Sequence, residues 1–349
     1  MNHRHGVCSF VPPYILRAIA AQGGRASMLS AQRALAHDEA LRQLRIARAP
    51  AREEPAAPAT TPHKNRTVYD GKHLTRLPGT KVRSEGGKAT SDVAVNEAYD
   101  GTGATFDLYW NVFHRDSIDN AGLPLLSTVH YGQAYDNAFW DGSQMIFGDG
   151  DGTIFNRFTI SVDVMGHELT HGVTDHLAAL EYQGQSGALN ESMSDVFGSM
   201  VKQRMKGQTA AQADWLIGEG LLAKGIKGVA LRSMKAPGTA YDDARLGGKD
   251  PQPATMAGYV DTDDDDGGVH INSGIPNRAF FLVATALGGS SWDRAGKVWY
   301  AALADPALKS TATFTQFATR TSAQAKALYG ADVQKTVKAA WKQVGITAR

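Results

Sequence analysis

The chemistry of this chain is concentrated in residues 161–181, SVDVMGHELTHGVTDHLAALE, which have the periodicity of a helix. Their centre is the pentapeptide HELTH, residues 167–171. Residues four apart lie on one face of a helix, with Cβ atoms about 5–6 Å apart, so His167 and His171 could bind one tetrahedral zinc ion. Glu168 would project beside the metal, where it could accept a proton from a zinc-bound water. The pentapeptide therefore predicts a zinc site, with a chance match on an amphipathic helix as the alternative.

A second predicted helix, residues 190–206, begins with the sequence NESMSD. Glu191 follows His171 by 20 positions, which is enough for a connecting turn and for the chain to run back past the first helix. It could be the third ligand, leaving the fourth position to water. Asp195 lies one turn later on the same face and could accept the free N–H of a ligating histidine. We expect Asn190 to support the ligands as well. A carboxylate at a helix start is also favourable without any metal, so the case for Glu191 depends on HELTH.

The composition is that of a soluble globular protein of about two domains with an extension: 349 residues, 42% hydrophobic and 20% charged. With 36 basic and 35 acidic residues the net charge is +1, which favours neither nucleic acid nor an anionic membrane as a partner.

Cys8 is the only cysteine, so no internal disulfide can form. No apolar run approaches the roughly 18 residues of a membrane span. The apolar residues 8–16 contain Pro12 and Pro13 and make a poor signal peptide. We expect a monomer, either cytoplasmic or secreted by a route that uses no standard signal peptide.

Composition also divides the chain into four parts. Residues 1–49 contain a predicted helix over 30–49, with Ser30 as its cap and Ala34, Leu41 and Leu44 on one face. Residues 50–66 hold four prolines and are predicted to form an extended linker. Residues 67–160 contain short alternating runs such as Phe106–Trp110 and are predicted to be mostly strand and turn. The helices predicted within residues 161–349 are 161–181, 190–206, 276–287, 291–304, 314–328 and 331–343. The plan is an α+β fold with a site at the junction of two lobes.

The sequence closely resembles the thermolysin family of gluzincin zinc peptidases over roughly residues 67–349. Besides HELTH and Tyr182, the matching segments are YDNAFW (135–140), GDGDG (148–152), GALNE (187–191), LRSM (231–234) and GGVHINSG (267–274). The resemblance implies a thermolysin-like two-lobed fold, with a β-rich N-terminal lobe over residues 67–160 and an α-helical C-terminal lobe over residues 161–349. It also implies a zinc-dependent endopeptidase acting on proteins or peptides.

The resemblance assigns roles to individual residues of this chain. It implies one catalytic zinc ion on His167, His171 and Glu191, and Glu168 as general base and proton shuttle. Tyr182 and His270 would stabilise the oxyanion, and Asp265 would orient and charge His270. For the substrate backbone it implies Asn137, the Ala138 carbonyl and Arg232. For the pocket after the scissile bond, which would prefer a bulky apolar residue, it implies Phe155, Phe158, Val164, Ile217 and Leu231; ordinary core packing is the alternative for some of these.

The chain departs from thermolysin at the calcium sites. Asp163, Asp214 and Glu219 are kept at the double site, but Lys202 and Leu216 stand where thermolysin has glutamate. Val229 replaces an aspartate of a further site, and Ile160 stands where an EF-hand would close GDGDG with glutamate. We therefore expect calcium to be absent or weakly bound, with Lys202 paired to the remaining carboxylates.

The N-terminal segment, with Pro12-Pro13-Tyr14-Ile15-Leu16, resembles the short pro-segment of the protealysin subgroup, which also lacks these calcium sites. It implies an inhibitory propeptide over residues 1–49 and a maturation site within residues 50–66. Pro12 and Pro13 would hold an extended, cleavage-resistant backbone in the cleft, and Tyr14, Ile15 and Leu16 would fill the apolar pocket. A thiolate of Cys8 capping the zinc is an alternative, although a lone cysteine is more often a small buried hydrophobe.

Two other function classes compete with the endopeptidase. A zinc aminopeptidase would need a carboxylate near Asn137 and Ala138 to bind a free amino terminus, and Asp136 and Asp141 are close in sequence. A catalytically silent binding protein on the same fold would have lost Glu168, Tyr182 or His270. All three of these residues are present.

Overall fold

A computed structural model describes the backbone of residues 8–47 and 60–349, and the side chains of residues 9–40 and 60–349. The N-terminal segment forms strand β1 (Cys8–Ser9) and helices α1 (Pro13–Gln22) and α2 (Arg25–Ala47). Gly23 ends α1 by donating its N–H to the Ile19 carbonyl. The helix predicted over residues 30–49 therefore begins earlier, and Ser30 does not cap it: it is buried within α2 and donates to the Ala134 carbonyl. The side chains of Leu41 and Leu44, and residues 48 and 49, lie outside the described residues.

The β-rich lobe is built on one six-stranded sheet to which the N-terminal segment contributes an edge strand. The further elements of this lobe are β2 (Arg66–Asp70), β3 (Thr80–Ser84), α3 (Val93–Phe113), β4 (Leu125–Val129), β5 (Ala138–Trp140) and β6 (Met145–Phe147). The sheet order is β1-β5-β6-β4-β2-β3. β1 pairs antiparallel with β5, with Cys8 opposite Trp140 and Ser9 opposite Phe139. The chain thus covers the edge strand β5 with its own N-terminal residues.

Helix α3 corrects the prediction that residues 67–160 are mostly strand and turn. Its 21 residues include the run Phe106–Trp110, whose alternation predicts a strand. Asp92 caps the helix by accepting the N–H groups of Ala94 and Val95. Gly101 permits close packing, since a Cβ there would lie 2.0 Å from the Met165 sulfur. Tertiary packing therefore overrides the weak helix propensity of this glycine- and threonine-rich sequence.

The C-terminal lobe is mainly helical, as the sequence predicts. Its helices are α4 (Val162–Leu177), α5 (Gly184–Met205), α6 (Asp265–Asn272), α7 (Gly274–Leu287), α8 (Ala295–Ala304), α9 (Phe314–Tyr329) and α10 (Ala331–Gln343). Two small antiparallel pairs lie between α5 and α6: β7 (Leu216–Ile217) with β8 (Arg232–Ser233), and β9 (Asp242–Asp243) with β10 (Gly248–Lys249). α5 starts six residues before the predicted residue 190, so Glu191 lies inside the helix and not at its start. Within the described part of the chain, no helix is long and apolar enough to cross a membrane.

Close contact between α4 and α5 positions the site. A Cβ on Gly198 would lie 2.5 Å from the Asp163 carbonyl oxygen, and one on Gly166 would lie 2.8 Å from the Gly198 Cα. Only glycine at both positions lets the two backbones approach this far, because any side chain would separate the helices. The inner faces of α4 and α5 then bring the HELTH histidines opposite Glu191.

Candidate active site

Three buried side chains from α4 and α5 converge on one point. The Nε2 atoms of His167 and His171 are 3.1 Å apart, and they lie 3.4 and 3.5 Å from Glu191 Oε2 and Oε1. A tetrahedral zinc with ligands at about 2.0–2.1 Å would separate its ligand atoms by about 3.3 Å, so the spacing fits this ion. Among the described residues, this is the one group of three or more His, Cys, Asp or Glu with metal-ligand spacing. The three residues chosen from the sequence therefore meet.

Hydrogen bonds fix the orientation of both imidazoles. His167 Nδ1 lies 2.8 Å from Asp195 Oδ1, and His171 Nδ1 lies 2.7 Å from Asn190 Oδ1. Ser194 Oγ lies 3.1 Å from His171 Nδ1 as a further partner. With Nδ1 engaged, each ring turns Nε2 toward the common point, which is the orientation a metal ligand needs. Asp195 and Asn190 thus occupy the supporting positions expected from the sequence.

Glu168 lies fully buried next to the first ligand. No protein group in the described residues hydrogen-bonds to either of its carboxylate oxygens. Burial raises the pKa of this carboxyl to about 8, against the opposing effect of His167. A buried polar group without a protein partner is costly, and such groups are concentrated at functional sites. A pKa near neutrality suits a group that must both accept and release a proton.

Tyr182, His270 and Asp265 form a connected group on the other side of Glu191. Tyr182 donates its hydroxyl to Glu191 and lies 3.3 Å from His270 Nε2. Asp265 accepts the His270 backbone N–H over 2.9 Å and lies 2.7 Å from His270 Nδ1. The residues from Asp265 to Gly268 all have positive φ, which turns the Asp265 carboxylate back toward the histidine. Burial lowers the pKa of His270, but Glu191 and Asp265 outweigh it and raise that pKa to about 9.

The groups expected to hold a substrate backbone hold the N-terminal segment instead. Phe10 donates its N–H to the Ala138 carbonyl over 2.9 Å, and its own carbonyl lies 3.4 Å from Arg232 Nη1. Val11 donates its N–H to Asn137 Oδ1 over 2.8 Å. Arg232 is itself held by Asp195, whose Oδ2 lies 2.9 Å from Arg232 Nε. One carboxylate therefore orients both the zinc histidine and the guanidinium.

We expected Tyr14, Ile15 and Leu16 to fill the apolar pocket beside the zinc site, but an earlier residue of the segment lies there. Phe10 lies there: its ring packs edge-on to His167 at 5.1 Å, with the Arg232 guanidinium 4.6 Å from its centroid. Pro13 is the first residue of α1, so Tyr14, Ile15 and Leu16 are helical and Pro12 alone is extended. Ile15 and Leu16 are buried and Tyr14 is half-buried. Proline at the first helical position has no N–H to lose, which explains why the helix starts there.

Phe10 and Val11 are site residues that the sequence reasoning missed. An apolar pair directly before two prolines was the available signal. The alternative that a Cys8 thiolate caps the metal concerns a side chain outside the described residues.

The expected pocket residues are all buried. Gly218 follows the expected pocket residue Ile217 and faces the Phe10 ring: a Cβ there would lie 3.4 Å from Phe10 Cε1 and 3.5 Å from Leu231 Cβ. Phe155 and Phe158 pack together with ring centroids 5.5 Å apart. The other expected pocket residue, Val164, lies on α4 one turn before the zinc ligands.

Lys202 occupies the place where the sequence comparison put the double calcium site. Its Nζ lies 2.9 Å from Asp214 Oδ1, 3.3 Å from Glu219 Oε2 and 3.5 Å from Asp163 Oδ2. It also donates to the Leu216 carbonyl over 3.0 Å. The side chain is 5% exposed. An ammonium group thus lies among the carboxylates that remain there and offsets part of their charge.

The fold and this site define a class: a two-lobed zinc metallopeptidase with an HExxH helix and a glutamate third ligand. Residues 55–175 match the family described as the thermolysin metallopeptidase catalytic domain, and residues 178–346 match its alpha-helical domain. The chain belongs to the thermolysin metallopeptidase family, and it is a metalloendopeptidase. The predicted α+β two-lobed fold is confirmed by the same matches.

Similar proteins extend this comparison. An extracellular metalloprotease of Pectobacterium carotovorum subsp. carotovorum is 53% identical over 343 residues, covering 98% of this chain and 97% of that protein. Thermolysin of Alicyclobacillus acidocaldarius subsp. acidocaldarius is 41% identical over 291 residues, covering 80% of this chain and 50% of that protein. The solved structure of the precursor of protealysin, a metalloproteinase from Serratia proteamaculans, superposes with a TM-score of 0.89 at 53% identity, covering 97% of this chain and 100% of that chain.

Proposed function

We propose that this chain is the precursor of a zinc endopeptidase that cuts peptide bonds before a bulky apolar residue. The observation that carries the proposal is the fully buried Glu168 carboxylate, which has no hydrogen-bond partner among the described residues, beside a His-His-Glu site with zinc spacing. The zymogen part is supported by the occupation of the cleft by residues 8–11 and by the similarity to a protealysin precursor.

The mechanism follows from where the polar groups lie. Zinc, when bound, lowers the pKa of a water and polarises the substrate carbonyl. Glu168 takes the water proton and delivers it to the leaving nitrogen. Tyr182 and His270 donate to the developing oxyanion, and Asp265 holds His270 protonated and oriented. Arg232, Asn137 and the Ala138 carbonyl hold the extended peptide, by the contacts that they make with Phe10 and Val11.

The two carboxylates that could bind the free amino terminus of an aminopeptidase substrate make other contacts. Asp136 is buried and accepts the backbone N–H of Asp151. Asp141 caps its own turn by accepting the N–H groups of Ser143 and Gln144. Neither arrangement favours binding of a free amino terminus. These contacts favour the endopeptidase over the aminopeptidase.

The relatives named extracellular metalloprotease support action outside the cell. We propose that the precursor is exported and that its substrates are extracellular proteins. Fractionation of the producing cells, with a cytoplasmic marker enzyme as control, tests this. Activity confined to the cytoplasm would contradict the proposal.

The catalytic part is tested with end-blocked peptides that differ only in the residue after the scissile bond. After removal of the N-terminal segment, we expect hydrolysis before leucine or phenylalanine and little before aspartate. A chelator should abolish the rate and added zinc should restore it. Cleavage restricted to peptides with a free amino terminus would favour the aminopeptidase instead.

A further inference from the structure

The carboxylate of Asp195 on α5 is shared between the metal site and the arginine expected to bind substrate. Its Oδ1 lies 2.8 Å from His167 Nδ1 and 2.9 Å from Arg232 Nη2, and its Oδ2 lies 2.9 Å from Arg232 Nε. A carboxylate can accept about four hydrogen bonds, two on each oxygen. These three contacts leave one position on Oδ2 for a further donor.

Asn277 on α7 occupies that position. Its side-chain Nδ2 donates to Asp195 Oδ2 over 2.8 Å, and both residues are fully buried. Asn277 Oδ1, by contrast, has no hydrogen-bond partner among the described residues. The amide cannot be turned over, because its oxygen would then face a carboxylate that only accepts. Burying an amide with an unsatisfied oxygen costs free energy, so its presence calls for a functional explanation, and the contact with Asp195 supplies one.

The helix that carries Asn277 follows directly on the helix that carries His270. α6 ends at Asn272 and α7 begins at Gly274. A Cβ on Gly274 would lie 2.8 Å from the Pro253 carbonyl oxygen, so glycine lets the chain pack closely where α7 starts. α7 packs against α5, which brings the first turn of α7 onto Asp195. The bond therefore ties the segment that carries His270 to the carboxylate that orients a zinc ligand.

We propose that Asn277 is a positioning residue, which fixes the rotation of the Asp195 carboxylate so that it holds His167 and Arg232 at the same time. This rests on the proposed function, in which His167 binds zinc and Arg232 binds the substrate. The terminal torsion of an aspartate side chain has a broad energy well. Without the fourth donor the carboxylate can turn about its Cβ–Cγ bond, and both the imidazole and the guanidinium are then held less firmly.

The zinc affinity of the full-length chain tests the metal side of this role. Each variant is made in a Glu168→Ala background, which prevents self-digestion, and the zinc dissociation constant is measured by competition with a chelator. Asp195→Asn alters the direct partner of His167 and should weaken zinc binding by about 10–100-fold. Asn277→Leu keeps the volume of the side chain but removes the donor. It should weaken zinc binding by roughly 3–10-fold, because it acts through Asp195.

Asn272→Leu is the matched control, since Asn272 is also a fully buried asparagine and lies on the preceding helix α6. Its amide accepts the Val260 N–H and donates to the Val260 carbonyl, both over 2.9 Å. This variant should lower the urea concentration at which the metal-free chain unfolds, yet leave the zinc dissociation constant within about twofold of the parent value. An equal loss of zinc affinity in both asparagine variants would mean a general loosening of α6 and α7, and would overturn the positioning role.

The double variant Asp195→Asn, Asn277→Leu shows whether the two residues act as one unit. Because Asn277 acts through the carboxylate, its replacement should change the zinc dissociation constant by less than about twofold once that carboxylate is gone. Fully additive losses would overturn the proposal, and so would an Asn277→Leu variant that binds zinc as tightly as the parent while Asp195→Asn does not. If His167→Ala also keeps its zinc, the zinc site of the proposed function fails as well.

The substrate side of the role is measured with zinc at saturation, on the enzyme that the folded chain releases when the N-terminal segment is removed. Asn277→Leu should raise KM for a blocked peptide by roughly 3–10-fold and change kcat less, because Arg232 contributes to substrate binding. Asn272→Leu again serves as the control. An unchanged KM in Asn277→Leu would overturn the link to Arg232.

Discussion

At the scale of single residues, the most specific prediction concerns the effect of replacing Glu168 on peptide hydrolysis. Glu168→Ala should retain zinc, because the three ligands and their partners Asp195 and Asn190 are untouched. The rate of peptide hydrolysis should fall by about 10²–10⁴-fold, the usual contribution of a general base. The measurement combines zinc content per chain with the rate on a blocked peptide. Near-normal hydrolysis with full zinc occupancy would exclude the assigned role.

The contacts of His130, which lies outside the zinc site, predict that the stability of the protein depends on pH. Its Nε2 lies 2.8 Å from Asp92 Oδ2 at the start of α3, and its Nδ1 lies 2.9 Å from both Asp149 oxygens. The bond to Asp149, with a contribution from Asp92, raises the pKa of His130 to about 9, against the effect of partial burial. Because the folded pKa is raised, the stabilisation is complete below the unfolded value near 6.5 and is lost as pH rises through about 9.

His130→Gln should therefore lower the free energy of unfolding by on the order of 2–3 kcal/mol at pH 6, and by much less at pH 10. Urea unfolding in a Glu168→Ala background, which prevents self-digestion, measures this difference. His63→Gln is a comparison variant, since His63 also pairs with an aspartate but is 61% exposed. A difference between wild type and His130→Gln that stays constant with pH would contradict the prediction.

Residues whose geometry is fixed by one helix could be predicted from the sequence, and residues placed by strand pairing could not. His167 and His171 are four apart on α4, so helical geometry alone brings their rings together. Glu191 needed the longer motif match, because a turn separates it from α4. Phe10 was missed because its place depends on the register of β1 against β5, which no local pattern encodes.

At the scale of elements, α3 and α1 show where local patterns mislead. The alternation in Phe106–Trp110 fits a strand, yet Asp92 caps a helix there and buried contacts hold it. Pro12-Pro13 suggested a longer extended stretch, yet the second proline starts α1. Asp92 before α3 and Pro13 at the first position of α1 are both helix-start signals that the sequence contains.

The position of Lys202 on helix α5 predicts how calcium affects the thermal stability of the protein. Millimolar calcium should change the melting temperature of the intact protein very little, because the ammonium group already lies between Asp163, Asp214 and Glu219, where a calcium ion would have to bind. Lys202→Ala should destabilise by about 3–5 kcal/mol, as expected when one partner of a buried ion pair is removed. Lys206→Ala is the matched control: Lys206 pairs with two of the same carboxylates but is half exposed, so its loss should cost about 0–1 kcal/mol.

Calcium should matter only after the charge at position 202 is reversed. Lys202→Glu leaves four carboxylates together, which calcium would stabilise by RT ln(1 + [L]/Kd), about 2.7 kcal/mol at a hundredfold excess over Kd. The melting temperature of this variant should rise with calcium at constant zinc. A large calcium effect on the unaltered chain would refute the role given to Lys202.

At the scale of the whole molecule, the N-terminal segment contacts both lobes. On the β-rich lobe, β1 pairs with β5, and His37 of α2 packs on Phe139 with ring centroids 4.4 Å apart. On the other side, α1 packs against residues 244–246, and Ala18 approaches Gly247. None of these contacts depends on the covalent connection to the catalytic body. The connection serves to keep the local concentration of the segment high.

Cutting the chain within residues 48–59 should therefore not activate it at once. At micromolar concentration we expect the cut segment to co-elute with the catalytic body and hydrolysis of a blocked peptide to stay low. Activity should appear on dilution, with the concentration dependence of a bimolecular complex. The double variant Phe10→Ala, His37→Ala, cut at the same place, should dissociate at a concentration at least tenfold higher, because it lacks one contact in the pocket and one on the β-rich lobe. Since the free segment is too small for a stable core of its own, it should then be digested, which makes activation irreversible. Full activity immediately after the cut, at micromolar concentration, would show that the covalent connection and not these contacts maintains latency.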